Sequence, residues 1–448
     1  MRSEWKSLLK LAWPILGASL SQLVLGITNT FYLGRLGESS LASIATAIPI
    51  YSILLQGLFA AVMGHQIIAA RQFGAGDKDH VRLSFVNSGA ILLLLGGASV
   101  AISWFSAPIA SLISGDPTVV NGAIQYLRYR SPSLVLASTG FLIQRTFDTK
   151  LQTKWGLYSS LLSNILNIPL NYALIFGIAT IPAMGIAGAG LGDTLASLSG
   201  MLLLATLFVK LRPIPLRPVI LQWNEIRELL RLSGPEIINS VLDYSGGFVF
   251  AIVVGVLGTA SLAGSRISYQ FLIILFTIAT SFGVGIQILI GRNYGKKDFA
   301  GMMNHLREGR NFLVWILASS AVCLAVLSGQ IARFFTSSQP VISAAIPALI
   351  VVAISTPLMA PTVAYVAGLR AVGRTKWVMY SNLGATWFVE LPTSWLFGIV
   401  LGLGLAGVYA GYATYFIARA VAGRYLANRA MNETEAKLLS VRAIVPSQ

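Results

Sequence analysis

Long apolar runs separated by short polar turns fill this chain from end to end. A helix needs about 20 consecutive apolar residues to cross a bilayer. The runs predict twelve spans, at 7–33, 40–70, 83–105, 120–144, 155–177, 184–209, 226–257, 260–291, 309–335, 340–369, 377–400 and 403–423. No stretch between them is long enough for a soluble domain. The expected fold class is therefore an all-α integral membrane protein of twelve transmembrane helices.

Composition agrees with the pattern. Of 448 residues, 55% are hydrophobic and only 11% charged, and the mean hydropathy is +0.73. No water-soluble fold hides that much apolar surface. The first run is too long for a signal peptide and has no small-residue cleavage site, so it is read as retained. Cys323 is the only cysteine, which rules out an internal disulfide. A net charge of +16 would suit nucleic acid if it were clustered on one face. Here the 32 Lys and Arg are dealt to alternate loops: only Arg35, Arg128, Arg130, Arg266 and Arg333 fall on one side, and all the others on the opposite side. The positive-inside rule turns that bias into an orientation, with both termini cytoplasmic and no nucleic-acid partner. The expected location is the inner (cytoplasmic) cell membrane.

The chain is also written twice. Sliding it against itself by 221 residues sets Leu11–Pro14 on Leu232–Pro235 and Leu36-Gly37 on Leu257-Gly258. The same register sets "QIIAARQFGAGD" on "QILIGRNYGKKD", matching at Gln66/Gln287, Arg71/Arg292, Gly74/Gly295 and Asp77/Asp298. With the offset drifting by one, "TKW" at Thr153 meets "TKW" at Thr375. Two pseudo-symmetric six-helix bundles follow. They are an N-lobe at 1–209 (helices 1–6), a cytoplasmic linker at 210–225, a C-lobe at 226–430 (helices 7–12) and a cytoplasmic tail at 431–448. Six spans is an even number, so the halves are parallel repeats, and a cleft between such halves can open to either side. A duplicated scaffold with no transport role would not need polar groups at mid-membrane depth.

This chain has such groups. Of its sixteen acids, Asp193, Asp243 and Glu390 fall well inside spans 6, 7 and 11, where a carboxylate is costly and usually marks an ion or proton path. In span 5, Asn164, Asn167 and Asn171 recur at spacings of three and four, which puts them on one helix face. Aligning Pro169 with Pro392 pairs Asn167 with Glu390 and Asn171 with Ser394, an amide in one half against an acid in the other. Pro14 and Pro235 pair early in spans 1 and 7, where a proline frees a carbonyl and permits a bend.

"TNTFYLGRLGESSLA" after span 1, "QIIAARQFGAGD" closing span 2, "NIPLNYALIFG" in span 5 and "AMGIAGAGLGDTLAS" opening span 6 together resemble the multidrug and toxic-compound extrusion (MATE) transporters. The span 5 segment is most similar to the NorM-like branch. The resemblance implies a secondary active antiporter that exports amphipathic organic cations or toxic compounds in exchange for H⁺ or Na⁺, with no cofactor, no metal beyond such an ion, and a monomeric state. It also implies an aspartate in helix 1, at the position that is Asn29 here, and in archaeal and DinF-type members an aspartate at the position of Asn171. The acid that NorM-like members carry in helix 7 falls on Asp243. Where relatives show "AAHQ" at the start of helix 8, this chain has Ser265 and Arg266.

An antiporter needs a group that the coupling ion and the substrate occupy in turn. A carboxylate can do this for H⁺ or Na⁺, whereas an amide can only coordinate Na⁺ or bond to substrate. Coupling is therefore expected at Asp243 and Glu390, with Asn29, Asn167, Asn171 and Gln22 forming a neutral N-lobe pocket; Gln22 is the repeat partner of Asp243. A second version keeps Na⁺ at Asn29, with Asp193 supplying the charge. Phe31, Tyr244, Tyr269, Trp387 and Trp395 are candidates to stack on a cationic substrate. Among other classes, a flippase for lipid-linked precursors would need a more cationic interior. An enzyme would need clustered ligands or a nucleophile and base, yet His65, His80 and His305 are scattered. A passive channel would need no duplicated, asymmetric acid sites.

Overall fold

The computed structural model describes residues 3–178, 182–215, 217 and 220–444, without the side chains of 3, 23–25, 27–31, 33, 34, 38, 41 and 437–444. The described residues are almost all helical. The first half runs α1 (Ser3–Gly34), α2 (Glu38–Ala75), α3 (Lys78–Trp104), α4 (Ala107–Ile113), α5 (Pro117–Arg130), α6 (Pro132–Thr149), α7 (Lys154–Phe176) and α8 (Ile186–Leu211). The second half runs α9 (Trp223–Val256), α10 (Thr259–Gly295), α11 (Phe299–Phe335), α12 (Gln339–Ala371), α13 (Thr375–Ala385), α14 (Leu391–Trp395) and α15 (Gly404–Ile444). Among the described residues, eight helices are both long and apolar enough to cross a membrane. The fold is the expected twelve-span helical one, with two departures from regular spans.

The span expected at 120–144 is interrupted. α5 ends at Arg130 and α6 begins at Pro132, because a proline has no N–H to continue the ladder and is tolerated at the first helical position. The span expected at 377–400 is continuous but irregular. π-helical turns over Thr386–Glu390 and Leu396–Val400 flank α14, whose second residue is Pro392. Such turns in a helix often accompany functional sites, and the first of these ends on Glu390.

The chain packs as two compact units, one of residues 14–240 and the other of residues 1–13 with 241–448. The first turns of α1 therefore belong to the second unit, where Trp5 Nε1 donates to Glu308 at 3.0 Å and the Trp5 ring meets Phe312 edge-on. The first turns of α9 belong to the first unit. There Ser233 Oγ accepts from the Gly64 amide and donates to the Ala61 carbonyl, at 3.0 and 2.7 Å. The segment after α8 also lies on the first unit, with Ile214 buried and the Gln222 amide donating to Asn87.

The repeat seen in the sequence has a local cause in each half. Asp77 and Asp298 both cap the helix that follows, accepting from the amides of His80 and Gly301 at 2.9 Å. Residues Gly76 and Lys297 are equivalent and both left-handed, with φ of 83° and 60°. Leu151 and Gly373 form a second such pair, at 65° and 70°.

Two buried polar clusters

In the first unit, the amide face of α7 meets α8 through glycine. A β-carbon on Gly188 would stand 2.2 Å from the Leu174 carbonyl oxygen, and one on Gly192 2.0 Å from Asn171 Oδ1. One on Gly190, which faces the other way, would stand 2.7 Å from the Tyr126 carbonyl on α5. The glycine-rich opening of α8 thus serves close helix approach, the role of small residues in membrane bundles. The second unit repeats the joint: β-carbons on Gly407 and Gly411 would stand 2.5 Å from the Phe397 carbonyl and 1.9 Å from Ser394 Oγ.

That approach brings Asp193 among donors. Its carboxylate accepts from Asn167 Nδ2 at 2.7 Å, Asn171 Nδ2 at 3.3 Å and the Tyr126 hydroxyl at 3.1 Å, and Arg130 Nη1 donates to Oδ2. Asn171 Nδ2 also donates to Asn167 Oδ1 at 2.9 Å. Asn167, Asn171 and Asp193 are all buried. An arginine that points inward from the end of α5 departs from the sequence reading, which counts Arg130 with the outer-side positive residues. The sequence did carry a signal, since Tyr126 and Arg130 are four apart and share a helix face. Asn164 is half-buried and makes no side-chain hydrogen bond among the described residues. The Asn29 side chain lies outside the described residues, as does that of Phe31, and Gln22 is exposed.

The second unit holds the other two acids. Asp243 is exposed, and Asn382 Nδ2 donates to its Oδ1. Asn382 Oδ1 accepts from the Tyr415 hydroxyl at 2.8 Å, which in turn accepts from Arg419 Nη1 at 2.6 Å. This chain fixes the Asn382 amide with its nitrogen toward the carboxylate. Asn382, Tyr415 and Arg419 went unrecognised in the sequence, although Tyr415 and Arg419 repeat the four-residue spacing of Tyr126 and Arg130. Glu390 is buried, within electrostatic reach of both Asp243 and Arg419. Tyr269 lies within the same reach of Tyr244, Glu390 and Arg266. Tyr244 and Tyr269 are about two-fifths exposed, Trp395 is exposed and Trp387 half-buried. Ser265 anchors Tyr409, the hydroxyls standing 3.0 Å apart. Pro14 and Pro235 lie inside α1 and α9.

The two clusters differ in how their acids are met. Asp193 is in direct contact with a guanidinium, whereas an amide and a phenol stand between Asp243 and Arg419. No group of three or more His, Cys, Asp or Glu able to hold a metal occurs among the described residues.

Known proteins resemble this chain in sequence and in fold. The chain is 25% identical over 421 residues to a probable multidrug resistance protein NorM of Thermotoga maritima, covering 92% of this chain and 90% of that protein. It is 26% identical to a multidrug resistance protein NorM of Vibrio vulnificus, covering 92% of each, and 23% identical to an uncharacterized transporter, YisQ, of Bacillus subtilis, covering 91% and 90%. Among solved structures, a MATE transporter in the bent conformation superposes with a TM-score of 0.90 at 17% identity, covering 98% of both chains. The Vibrio cholerae MATE transporter VcmN in its bent form gives 0.88 at 18%, covering 97% and 98%. The MatE profile matches twice, at residues 14–173 and 235–396, reproducing the internal duplication. By these matches, and by the twelve-span fold they share, the chain belongs to the MatE family of membrane transporters, and is not an enzyme.

Proposed function

We propose that the protein is an antiporter that exports small amphipathic organic cations in exchange for H⁺ or Na⁺, and that Asp243 and Glu390 carry the coupling. The observation behind this is the pairing in the second unit of an exposed carboxylate, Asp243, with a buried one, Glu390, within electrostatic reach. Two acids that repel each other take up a proton or a small cation readily, and a cationic substrate arriving at the exposed one competes for the same charge. The tyrosines beside them, Tyr244 and Tyr269, offer faces for the cation. The multidrug resistance proteins among the relatives support the substrate class.

In this reading the lobes at 1–209 and 226–430, joined by the cytoplasmic segment 210–225, alternate access between the two sides. Pro14 and Pro235 serve as bends, the termini and the tail at 431–448 face the cytoplasm, and the protein works as a monomer. Asn29 and Gln22 contribute uncharged contacts to substrate, while Asn167 and Asn171, buried against Asp193, hold that carboxylate in place. A flippase reading has no comparable support, because the second unit's deep acids favour a cation over a lipid phosphate.

The direct test is flux into proteoliposomes with a cationic dye as cargo. Dye accumulation driven by an imposed H⁺ or Na⁺ gradient is expected. Equilibration without accumulation would make the protein a channel, and no movement above protein-free vesicles would remove the reading.

A further inference from the structure

An ionised carboxylate at membrane depth must be met by a proton, a mobile cation or a fixed one. Asp193 has a fixed one, and the surroundings of Arg130 are built to hold it. The guanidinium carbon lies 4.2 Å from the centre of the Tyr51 ring and 5.3 Å from that of Tyr126, so two aromatic faces flank it. Tyr51 is itself pinned, its hydroxyl 2.7 Å from Ser133 Oγ. Arg130 Nη1 donates both to the Tyr126 hydroxyl and to Asp193 Oδ2. Asn167 and Asn171 hold the other carboxylate oxygen. Aromatic faces, a phenolic oxygen and a carboxylate oxygen are what a receptor for a free cation would present, yet here the cation is covalently attached.

We propose that Arg130 is a tethered counter-ion: it permanently holds the place that a small mobile cation would take at Asp193, and removing its guanidinium turns the cluster into a binding site for Na⁺ or for a free guanidinium ion. The oxygens of Asp193 and Tyr126 are hard ligands suited to Na⁺. The rings of Tyr51 and Tyr126 lie beside the position that a free guanidinium would take. The inference concerns only the first unit. It stands whether or not Asp243 and Glu390 carry ion coupling, because its test reads binding and not transport.

The experiment compares thermal unfolding of the full chain in detergent for wild type, Arg130→Ala, Arg130→Lys and Arg130→Ala/Asp193→Asn. Each is measured in NaCl against choline chloride at constant ionic strength, and with guanidinium chloride added at about 20 mM, far below denaturing levels. Arg130→Ala is expected to gain roughly 2 °C or more in midpoint from Na⁺ or guanidinium, beyond any change in wild type. Arg130→Lys, which restores a fixed charge, is expected to respond as wild type does. The double variant is expected to fold without either cation and to lose the response. A folded Arg130→Ala that responds no more than wild type overturns the proposal, as does a response that survives in the double variant. Should Arg130→Ala fail to fold, recovery of folded protein in the double variant supports the proposal and its absence overturns it.

Discussion

Gly192 lies so close to Asn171 that a β-carbon would stand 2.0 Å from the amide oxygen. That oxygen cannot retreat without breaking the contacts of Asn171 with Asn167 and Asp193. Gly192→Ala is therefore expected to cost about 1–3 kcal/mol by overpacking. Gly411→Ala, against Ser394, is expected to do the same. Gly97→Ala, where a β-carbon meets nothing within 4 Å, serves as the control. Thermal unfolding of the three variants decides the matter, and equal midpoints would contradict the close approach of α7 and α8.

Leu151 holds a left-handed conformation, φ 65°, where its repeat partner is Gly373 at 70°. For a residue with a β-carbon that conformation costs roughly 1–2 kcal/mol. Leu151→Gly relieves the cost, and the greater freedom glycine gives the unfolded chain offsets part of it. A net stabilisation of about 0.5–1 kcal/mol is expected from the substitution, and the reverse change, Gly373→Leu, is expected to destabilise. Unfolding midpoints of the two variants check the sign.

Asp148 sits past the expected end of span 4, fully buried beside Arg145, with the guanidinium nitrogen 3.1 Å from its carboxylate. Burial pushes its carboxyl up to about 7 despite the attraction of Arg145. Between the ordinary value of 3.8 and about 7 the folded state holds a proton that the unfolded state has lost. The stability contributed by this group is thus greatest at low pH and declines as pH rises through that window. Asp148→Asn, which cannot ionise, is expected to gain on wild type as the pH of the unfolding measurement goes from about 5 to about 7.5. A gap between the two that stays constant or moves the other way would refute this.

The chain from Arg419 through Tyr415 and Asn382 orients one amide toward Asp243. Asn382→Ala removes the donor and is expected to lower gradient-driven flux by roughly fivefold or more. Tyr415→Phe, one step further out, removes a single hydrogen bond worth about 1 kcal/mol and is expected to have the smaller effect. The order of the two effects is the test.

Much of this was legible in the sequence. The spans and the duplication follow from hydropathy and spacing, because a bilayer imposes length and polarity on every segment. The pairing of Asn171 with Ser394, drawn from the alignment of two prolines, reappears as two glycines packed on those two side chains. What the sequence hid was direction. Arg130 lies inside the span predicted at 120–144 yet counts with the outer-side positive residues, which ordinarily face water, and only the break at Pro132 and the close approach of α8 turn it onto Asp193. Asn382 and Tyr415 are unremarkable on their own helices and gain meaning only when α9, α13 and α15 converge.

The central claim, that the coupling charge resides in the second unit, is tested most directly by ion-gradient-driven dye accumulation in proteoliposomes containing wild type, Asp243→Asn or Glu390→Gln. The account predicts that both variants fold and bind to membranes as wild type does, yet accumulate dye roughly tenfold less or worse under the same gradient. Wild-type accumulation by both variants would contradict it.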